Sequence, residues 1–292
     1  MSEPLARHQL FEYREEQPFM VLNVPASIRD AESLHSHWHE ELEVAYIIGS
    51  RSTHYIDGSC ITAEPGRLIV TNSGSVHSIK PGIPEESEAE GLAAVVLMIH
   101  ARFLEEHFPQ YASLLFLNEK TRARAEVQDI MLRLSAWARA DSHAPHELLY
   151  AKGLVLQLLY YMYEEGVTDR EGAYDINCLK NIERIKGVLG YVENHYTEPI
   201  SQGEVAQKFY FSREYFSRYF KKTCGMTFTE YVTQYRLQRA REDLLESSAG
   251  ILEIAHKNGF SDERRLINSF KKCFGTTPLQ YRKMVKKAAP KP

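Results

Sequence analysis

A run of histidines and glutamates near the N-terminus has the residue types of a binding site. The segment from residue 34 to 43 reads LHSHWHEELE. Alternate residues of an extended strand share one face, so we expect His35, His37 and His39 to point into one cavity with Glu43. Imidazole and carboxylate groups in a cavity can hydrogen-bond a polar ligand or coordinate a transition metal. The segment therefore predicts a ligand site.

Basic residues are concentrated in the last third of an acidic chain. Residues 179–292 contain 21 Lys and Arg against 12 Asp and Glu, a net charge of +9, whereas the whole chain has −4. This asymmetry indicates a polyanionic partner for that region, although a solvated basic surface has the same composition. We find no nucleotide-binding loop, nucleophile elbow or paired-carboxylate motif. We therefore expect neither an enzyme nor a cofactor, and we assign no catalytic residue.

The basic region contains an internal repeat. The segment EVAQKFYFS at 204–212 recurs as EIAHKNGFS at 253–261, an offset of 49 residues. Each copy reads as a short helix, a tight turn and a second helix, which is the helix-turn-helix plan. The two units are expected at about 201–223 and 250–273. Ser212 and Ser261 are placed to cap the second helix of each unit.

The segment between the units supplies a geometric check on DNA binding. Residues 228–246 read as one helix, roughly 28 Å long at 1.5 Å per residue. Recognition helices in successive major grooves lie about 34 Å apart, so this helix can space two of them within one chain. The alternative, a fragment of a helical solenoid, generally requires three or more repeats. The repeat therefore predicts binding to double-stranded DNA.

These motifs are similar to those of the AraC/XylS-type regulators. The resemblance covers about residues 182–287 and rests on ILEIAHKNGFSD at 251–262 and FKKCFGTTPLQYRK at 270–283. Two residues depart from the family pattern. Phe228 stands where proline is usual, and the second recognition helix opens with arginine, which indicates an unusual base preference in one half-site. The resemblance implies a transcription regulator, expected to be an activator.

Helix geometry and this resemblance together predict which side chains face DNA. Phe216 and Phe220 must face the core on one recognition helix, and Leu266 and Phe270 on the other. Arginine can pair with guanine and asparagine with adenine, whereas lysines at the helix ends are expected on phosphates. For each of these residues the alternative is a solvated surface group. The predicted DNA-binding residues are Arg213, Glu214, Ser217, Arg218, Lys221, Lys222, Arg264, Arg265, Asn268, Lys271 and Lys272.

The rest of the chain divides into strands followed by helices. Strands are expected at 42–48, 52–56, 68–71 and 93–99, separated by Asp-Gly and Pro-Gly turns. Helices are expected at 119–140 and 146–165, and a polar linker at 168–174. The fold class is therefore α+β with several domains. We expect an antiparallel β-barrel over 1–100, a helical dimerisation and linker segment over 101–177, and an all-α DNA-binding domain over 178–292.

The histidine segment resembles the cupin motif HxHxxxE, and His77 lies where a second cupin motif supplies another histidine. This resemblance makes His37, His39, Glu43 and His77 candidate ligands for zinc, iron or manganese. AraC-type regulators of sugar metabolism, however, carry a similar stretch, which implies a pocket without metal for a carbohydrate or related polar effector. Tyr46 and Tyr55 are then expected to contact that effector. A packed core or a cupin enzyme would also account for the segment.

The predicted partners follow from the same reasoning. They are double-stranded DNA, a small-molecule effector, RNA polymerase and a second copy of the chain. The homodimer is assigned to the helices at 119–165, although their apolar side chains can also serve only to cover the barrel. The four cysteines are scattered without a CxxC pair, which is typical of reduced thiols in the cytoplasm. No membrane association is expected.

Overall fold

The computed structural model describes residues 17–26, 34–49, 51–82, 91–120, 122–140, 144–170 and 176–288. All its strands precede residue 170. They are β1 Phe19–Pro25, β2 Leu34–His37, β3 Leu42–Ile47, β4 Ser52–Ile56, β5 Ser59–Ala63, β6 Leu68–Thr71, β7 His77–Pro81, β8 Leu92–Ile99, β9 Leu114–Phe116 and β10 Val167–Asp169. The four strands predicted from the sequence are confirmed to within one residue.

The first eight strands form two antiparallel sheets. One has the order β1-β8-β3-β6 and the other β2-β7-β4-β5. Ala45, Ile47 and Ile69 of the first sheet pack against Ile56 and Ala63 of the second. The expected closed barrel is therefore wrong for the described residues, which form two open sheets packed face to face.

The first sheet is buried on both faces. On β3, Ala45 and Ile47 face the second sheet, whereas Leu42, Val44 and Tyr46 belong to the larger core on the other side. This two-sided burial explains why β3 is a continuous apolar run apart from Glu43. The larger core is closed by three helices, α1 Ala101–His107, α2 Ala125–Trp137 and α3 Pro145–Glu165, and a 3₁₀ turn at Pro109–Ser113.

Helices α2 and α3 correspond to the two helices expected after the strands. The first begins at Ala125 rather than at residue 119, and the second agrees within one residue. The expected linker at 168–174 is in part a strand, because Val167–Asp169 pairs with Leu114–Phe116. The remainder of that segment, from residue 171 onward, lies outside the described residues.

The C-terminal part of the chain is helical. Its helices are α4 Ile176–His195, α5 Gln202–Lys208, α6 Arg213–Cys224, α7 Phe228–Glu246, α8 Ile251–Lys257, α9 Glu263–Phe274 and α10 Pro278–Ala288. They bury two separate cores. The connecting helix α7 contributes Tyr231 and Tyr235 to the first core and Leu237 and Leu244 to the second. One continuous helix thus joins the two units, and its bounds confirm the sequence prediction.

The cysteines and the helix compositions add two further facts. Cys60, Cys178, Cys224 and Cys273 are free thiols, and Cys224 is buried. None of the helices in the described part of the chain combines the length and the apolar character that crossing a bilayer requires.

Candidate nucleic-acid interface and ligand site

Helix α6 has the amphipathic pattern of a recognition helix. Phe216 and Phe220 are fully buried, and Ser212 caps the helix by accepting a hydrogen bond from the amide of Tyr215 at 3.3 Å. The other faces are exposed. The predicted DNA-binding residues among the exposed side chains of α6 are Arg213, Glu214, Ser217, Arg218, Lys221 and Lys222. The structure therefore brings the predicted DNA-binding residues of the first unit together on one solvent-facing surface.

Helix α9 repeats this arrangement in the second unit. Leu266 and Phe270 are fully buried, and the side chains of Arg264, Arg265 and Asn268 are exposed. The expected cap at Ser261 is wrong. Asp262 caps the helix instead, because its carboxylate accepts from the amide of Arg265 at 2.8 Å and Ser261 donates to it.

The lysines at the ends of the two helices differ in their surroundings. All four lysines are exposed, and Lys221 and Lys271 lie at the last turn of each recognition helix. Lys222 lies against the turn after β4, since a Cβ placed on Gly58 would be 3.5 Å from its Cε. Lys272 lines a cleft of about 570 Å³ between α7, α9 and the second sheet. Lys221 and Lys271 are therefore better placed for phosphate than Lys222 and Lys272.

Aromatic residues support the first recognition helix in a way that the sequence did not reveal. The rings of Tyr215 and Tyr219 stack with centroids 5.5 Å apart, and Phe211 stacks on Tyr215 at 5.9 Å. The hydroxyl of Tyr215 also accepts a hydrogen bond from the Asn181 side chain on α4. The contact between Tyr215 and Tyr219 could have been predicted from the sequence, because residues four apart lie next to each other on a helix surface.

The predicted ligand residues of the N-terminal part form a buried cluster between the two sheets. His37, His39, His77 and Glu43 are each at most 6% exposed. The carboxylate of Glu43 lies 3.4 Å from His39 Nε2 and 3.6 Å from His77 Nε2. The rings of His37 and His77 are 4.1 Å apart between centroids. The structure thus brings together these four residues, which we call the histidine cluster. The side chain of His35 lies outside the described part of the chain.

The charges of the cluster depend on one another. Burial raises the pKa of Glu43, but hydrogen bonds and positive charge from His39 and His77 outweigh it and hold that pKa well below its usual value. Burial lowers the pKa of His77, but its contact with Glu43 reverses the direction and raises it. These groups therefore favour an ionised carboxylate facing a protonated imidazole.

A fifth polar residue, His54, was not assigned from the sequence. It lies on β4, 3% exposed, and its Nε2 is 2.9 Å from the hydroxyl of Ser52. Burial lowers the pKa of His54 to about 4, so the ring is neutral at physiological pH. The burial of His54 could have been predicted from the alternation of residues along β4, because residues 52, 54 and 56 share the buried face.

The two tyrosines expected in an effector pocket lie away from the histidine cluster. Tyr46 is on the opposite face of β3 from Glu43, and its hydroxyl donates to Gln128 of α2 at 3.1 Å. Tyr55 is on the outer face of β4, next to Gly225. Strand alternation places both on the faces that the cluster does not use.

The cluster has the chemistry and size of a transition-metal site. The ligand atoms of His37, His39 and His77 all lie within 4.8 Å of one another. Nitrogens that bind one zinc ion at about 2.1 Å in tetrahedral geometry lie about 3.4 Å apart, so the three rings would have to move closer together to share an ion. The Nε2 atom of His77 is fully buried and lies 3.6 Å from the carboxylate of Glu43. Three imidazoles and a carboxylate suit zinc, iron or manganese.

Comparison with known proteins addresses the helical region first. Residues 205–284 match the family model described as a helix-turn-helix domain. The HTH-type transcriptional regulator YdeC of Bacillus subtilis is 24% identical over 259 residues, covering 85% of this chain and 86% of YdeC. The HTH-type transcriptional activator RhaS of Pectobacterium carotovorum is 28% identical over 159 residues. The aligned residues are 54% of this chain and 55% of RhaS, so the chain spans about half the length of that relative.

A solved structure resembles the same region. The C-terminal domain of the two-component response regulator yesN from Fusobacterium nucleatum is 33% identical, with a TM-score of 0.33, over 34% of this chain and 98% of that domain. The likeness of the N-terminal sheets to cupins stays a prediction. Residues 205–284 therefore form a helix-turn-helix domain similar to those of DNA-binding transcription regulators, and the motifs at 251–262 and 270–283 resemble those of the AraC type.

Proposed function

We propose that the chain is an effector-responsive transcriptional activator that places α6 and α9 in successive major grooves of one duplex. The observation that carries this proposal is the paired surface of α6 and α9. Each helix buries two apolar residues and exposes charged or polar residues at the positions that we expect to read bases. The description of RhaS as an activator supports the sign of regulation. Such an activator works in the cytoplasm and has RNA polymerase as a further partner.

Selection of binding sites tests the DNA-binding part of this proposal. The full chain is mixed with a pool of random duplexes, and bound sequences are enriched and read. We expect a motif with two half-sites about one helical turn apart. Enrichment of a single half-site, or of no motif, would contradict the assignment of two reading helices.

The ligand of the N-terminal part is proposed to be a small polar effector, a carbohydrate or a related metabolite. Buried imidazole and carboxylate groups offer the donors and acceptors that hydroxyl groups need. A divalent metal ion is the second candidate, and a specific observation favours it. The ligand atoms of the three histidines lie within 4.8 Å of one another, a spacing that suits an ion.

One titration distinguishes the two ligands. Protein purified without chelator or affinity tag is analysed for bound elements, and metal-free protein is then titrated separately with Co²⁺ and with a panel of monosaccharides. Co²⁺ held by three imidazoles gives visible absorption bands, and His37→Gln should abolish them. Stoichiometric metal would establish a metal-sensing regulator. Stabilisation by a sugar alone would establish the carbohydrate effector.

We also propose a homodimer formed by α3. Leu149, Gly153, Leu156, Tyr160 and Tyr163 follow one another at spacings of four and three residues, which is the periodicity of a coiled-coil seam. Leu149 is 71% exposed and Tyr160 is 59% exposed. In an antiparallel pair centred on Leu156, Gly153 faces Tyr160 of the partner subunit. A Cβ on Gly153 would meet no atom within 4 Å, so the space beside it can accept that ring.

A further inference from the structure

The sheet β2-β7-β4-β5 presents different residues on its two faces. His54 and His77 face the inside of the N-terminal part, where the histidine cluster lies. Adjacent residues point the opposite way along a strand, so Ser36 and Ser78 lie on the outer face. That outer face packs against the first helix-turn-helix unit, and the fully buried Val76 belongs to the core of that unit. One layer of backbone therefore separates the cluster from the DNA-binding part.

The outer face holds the end of the first recognition helix. The hydroxyl of Ser36 donates to the backbone carbonyl of Cys224 at 3.4 Å, and the hydroxyl of Ser78 donates to the same carbonyl at 3.2 Å. Cys224 is the last residue of α6, where helix carbonyls have no partner within the helix. All three residues are at most 4% exposed. Two donors from different strands thus replace the missing helical hydrogen bonds.

Neighbouring contacts fix the same joint. The hydroxyl of Tyr231 on α7 donates to the backbone carbonyl of Ser36 at 3.5 Å. The next residue after α6, Gly225, adopts φ of 72°, and a Cβ there would lie 2.5 Å from the ring of Tyr55. The base-reading residues are at the other end of α6 and remain exposed. The sheet therefore holds α6 from behind without covering the surface that reads DNA.

The strand register connects this joint to the cluster. His37 and His77 are paired across β2 and β7. Ser36 precedes His37, and Ser78 follows His77. A ligand that draws the two imidazoles together moves the backbone that they share with the serines. Such a movement changes the geometry at the Cys224 carbonyl.

We propose that Ser36 and Ser78 are positioning residues that transmit the state of the histidine cluster to the first recognition helix. The inference rests on the proposed function and adds the route by which the ligand acts. The cluster controls how α6 is oriented relative to α9, and thereby the affinity for a two-part site. The ligand itself stays away from DNA.

A double-mutant cycle on DNA affinity tests this route with the full chain. His37→Gln is introduced into the wild type, into Ser36→Ala/Ser78→Ala and into Thr53→Ala. Thr53 lies on the outer side of β4, so its replacement is a matched loss of a hydroxyl. Affinity is measured for the duplex that the wild type selects from a random pool. No ligand has to be known, because the substitution itself perturbs the cluster.

We expect His37→Gln to change the dissociation constant by about fivefold or more in the wild type and in Thr53→Ala. In the Ser36→Ala/Ser78→Ala variant, the fold-change in the dissociation constant caused by His37→Gln should be less than half of that in the wild type. Equal changes in all three backgrounds, or none in any, would overturn the proposal. Thermal unfolding checks that each variant is folded, and Glu43→Gln replaces His37→Gln if the latter does not fold. Failure of the wild type to select any duplex would instead disprove the proposed function, and this inference with it.

Discussion

Tyr210 and Gly259 occupy the same position in the two helix-turn-helix units, 49 residues apart, and both have a left-handed backbone. Their φ angles are 60° and 74°. A residue with a side chain costs about 1–2 kcal/mol in this conformation, whereas glycine adopts it freely. Tyr210 is 83% exposed, so its ring buries little surface. The turn of the first unit therefore carries strain that the turn of the second unit avoids.

Tyr210→Gly should stabilise the protein. The relief of strain exceeds the additional chain entropy that glycine loses on folding, about 0.5–1 kcal/mol, so a net gain of about 0.5–1 kcal/mol is expected. Urea unfolding followed by circular dichroism measures it. A loss of stability would mean that the tyrosine ring makes contacts that outweigh the strain.

Gly259→Ala is the matched substitution in the second unit, and it should destabilise. Its Cβ would lie 2.9 Å from Nε of Arg236 and would also meet the carbonyl oxygen of Tyr196. Together with the left-handed φ, this contact should cost about 1–3 kcal/mol or more in the same urea experiment. An unchanged midpoint would contradict the close approach of the second turn to the segment after α4.

Lys271→Ala and Lys222→Ala should have different effects on the salt dependence of DNA binding. Each phosphate contact contributes about 0.9 to the slope of log affinity against log salt concentration. Lys271 is exposed at the end of α9, whereas the side chain of Lys222 lies over Gly58. We expect the slope to fall by about 0.9 for Lys271→Ala and to remain that of the wild type for Lys222→Ala. Equal slopes for the two variants would disprove this distinction.

The helical part of the fold was predictable because its signals are local. The repeat at an offset of 49 residues defines the two units. In the structure, Thr227 and Glu230 form a capping box at the start of the connecting helix. Ser261 failed as a cap because Asp262, one residue later, offers the stronger acceptor to the helix amides. The sequence pattern therefore located each helix but not the side chain that caps α9.

The N-terminal sheets were less predictable because two of their strands carry polar side chains on both faces. Residues 34–37 and 77–81, which form β2 and β7, lack alternating apolar residues. One face of these strands carries the histidine cluster, and the other donates hydroxyls to Cys224. The partner of Ser36 lies 188 residues away in the chain, so no local pattern could reveal it.

Leu156→Glu should convert the proposed homodimer into a monomer. Leu156 lies at the centre of the α3 seam, where a pair of carboxylates would face each other without compensation. Leu132→Glu is the control, because Leu132 is an exposed leucine of α2, 48% accessible, outside that seam. Sedimentation velocity gives the mass of each variant. A monomeric wild type, or dissociation by both substitutions, would contradict the assignment of the dimer to α3.

Arg264 and Arg265 should read a G·C pair in one half-site, and Glu214 should act in the other. The two arginines open α9, and the N-terminal residues of a recognition helix commonly reach base edges. The side chain of Arg265 lies 3.9 Å from the carboxylate of Asp262, which caps the helix. The Asp262 carboxylate therefore competes with DNA for Arg265, and we expect the stronger base contact from Arg264.

Selection from random duplexes by the wild type, Arg264→Ala, Arg265→Ala and Glu214→Ala tests this assignment. An arginine fork matches guanine O6 and N7, and its loss should cost about 1–3 kcal/mol at that base pair alone. Arg264→Ala should therefore relax one position of the motif, with a smaller effect for Arg265→Ala. Glu214→Ala should relax a position about one turn away, because a carboxylate can only accept from cytosine or repel other bases. If both arginine variants select the wild-type motif and bind it more weakly, these arginines contact phosphate and the assignment is wrong.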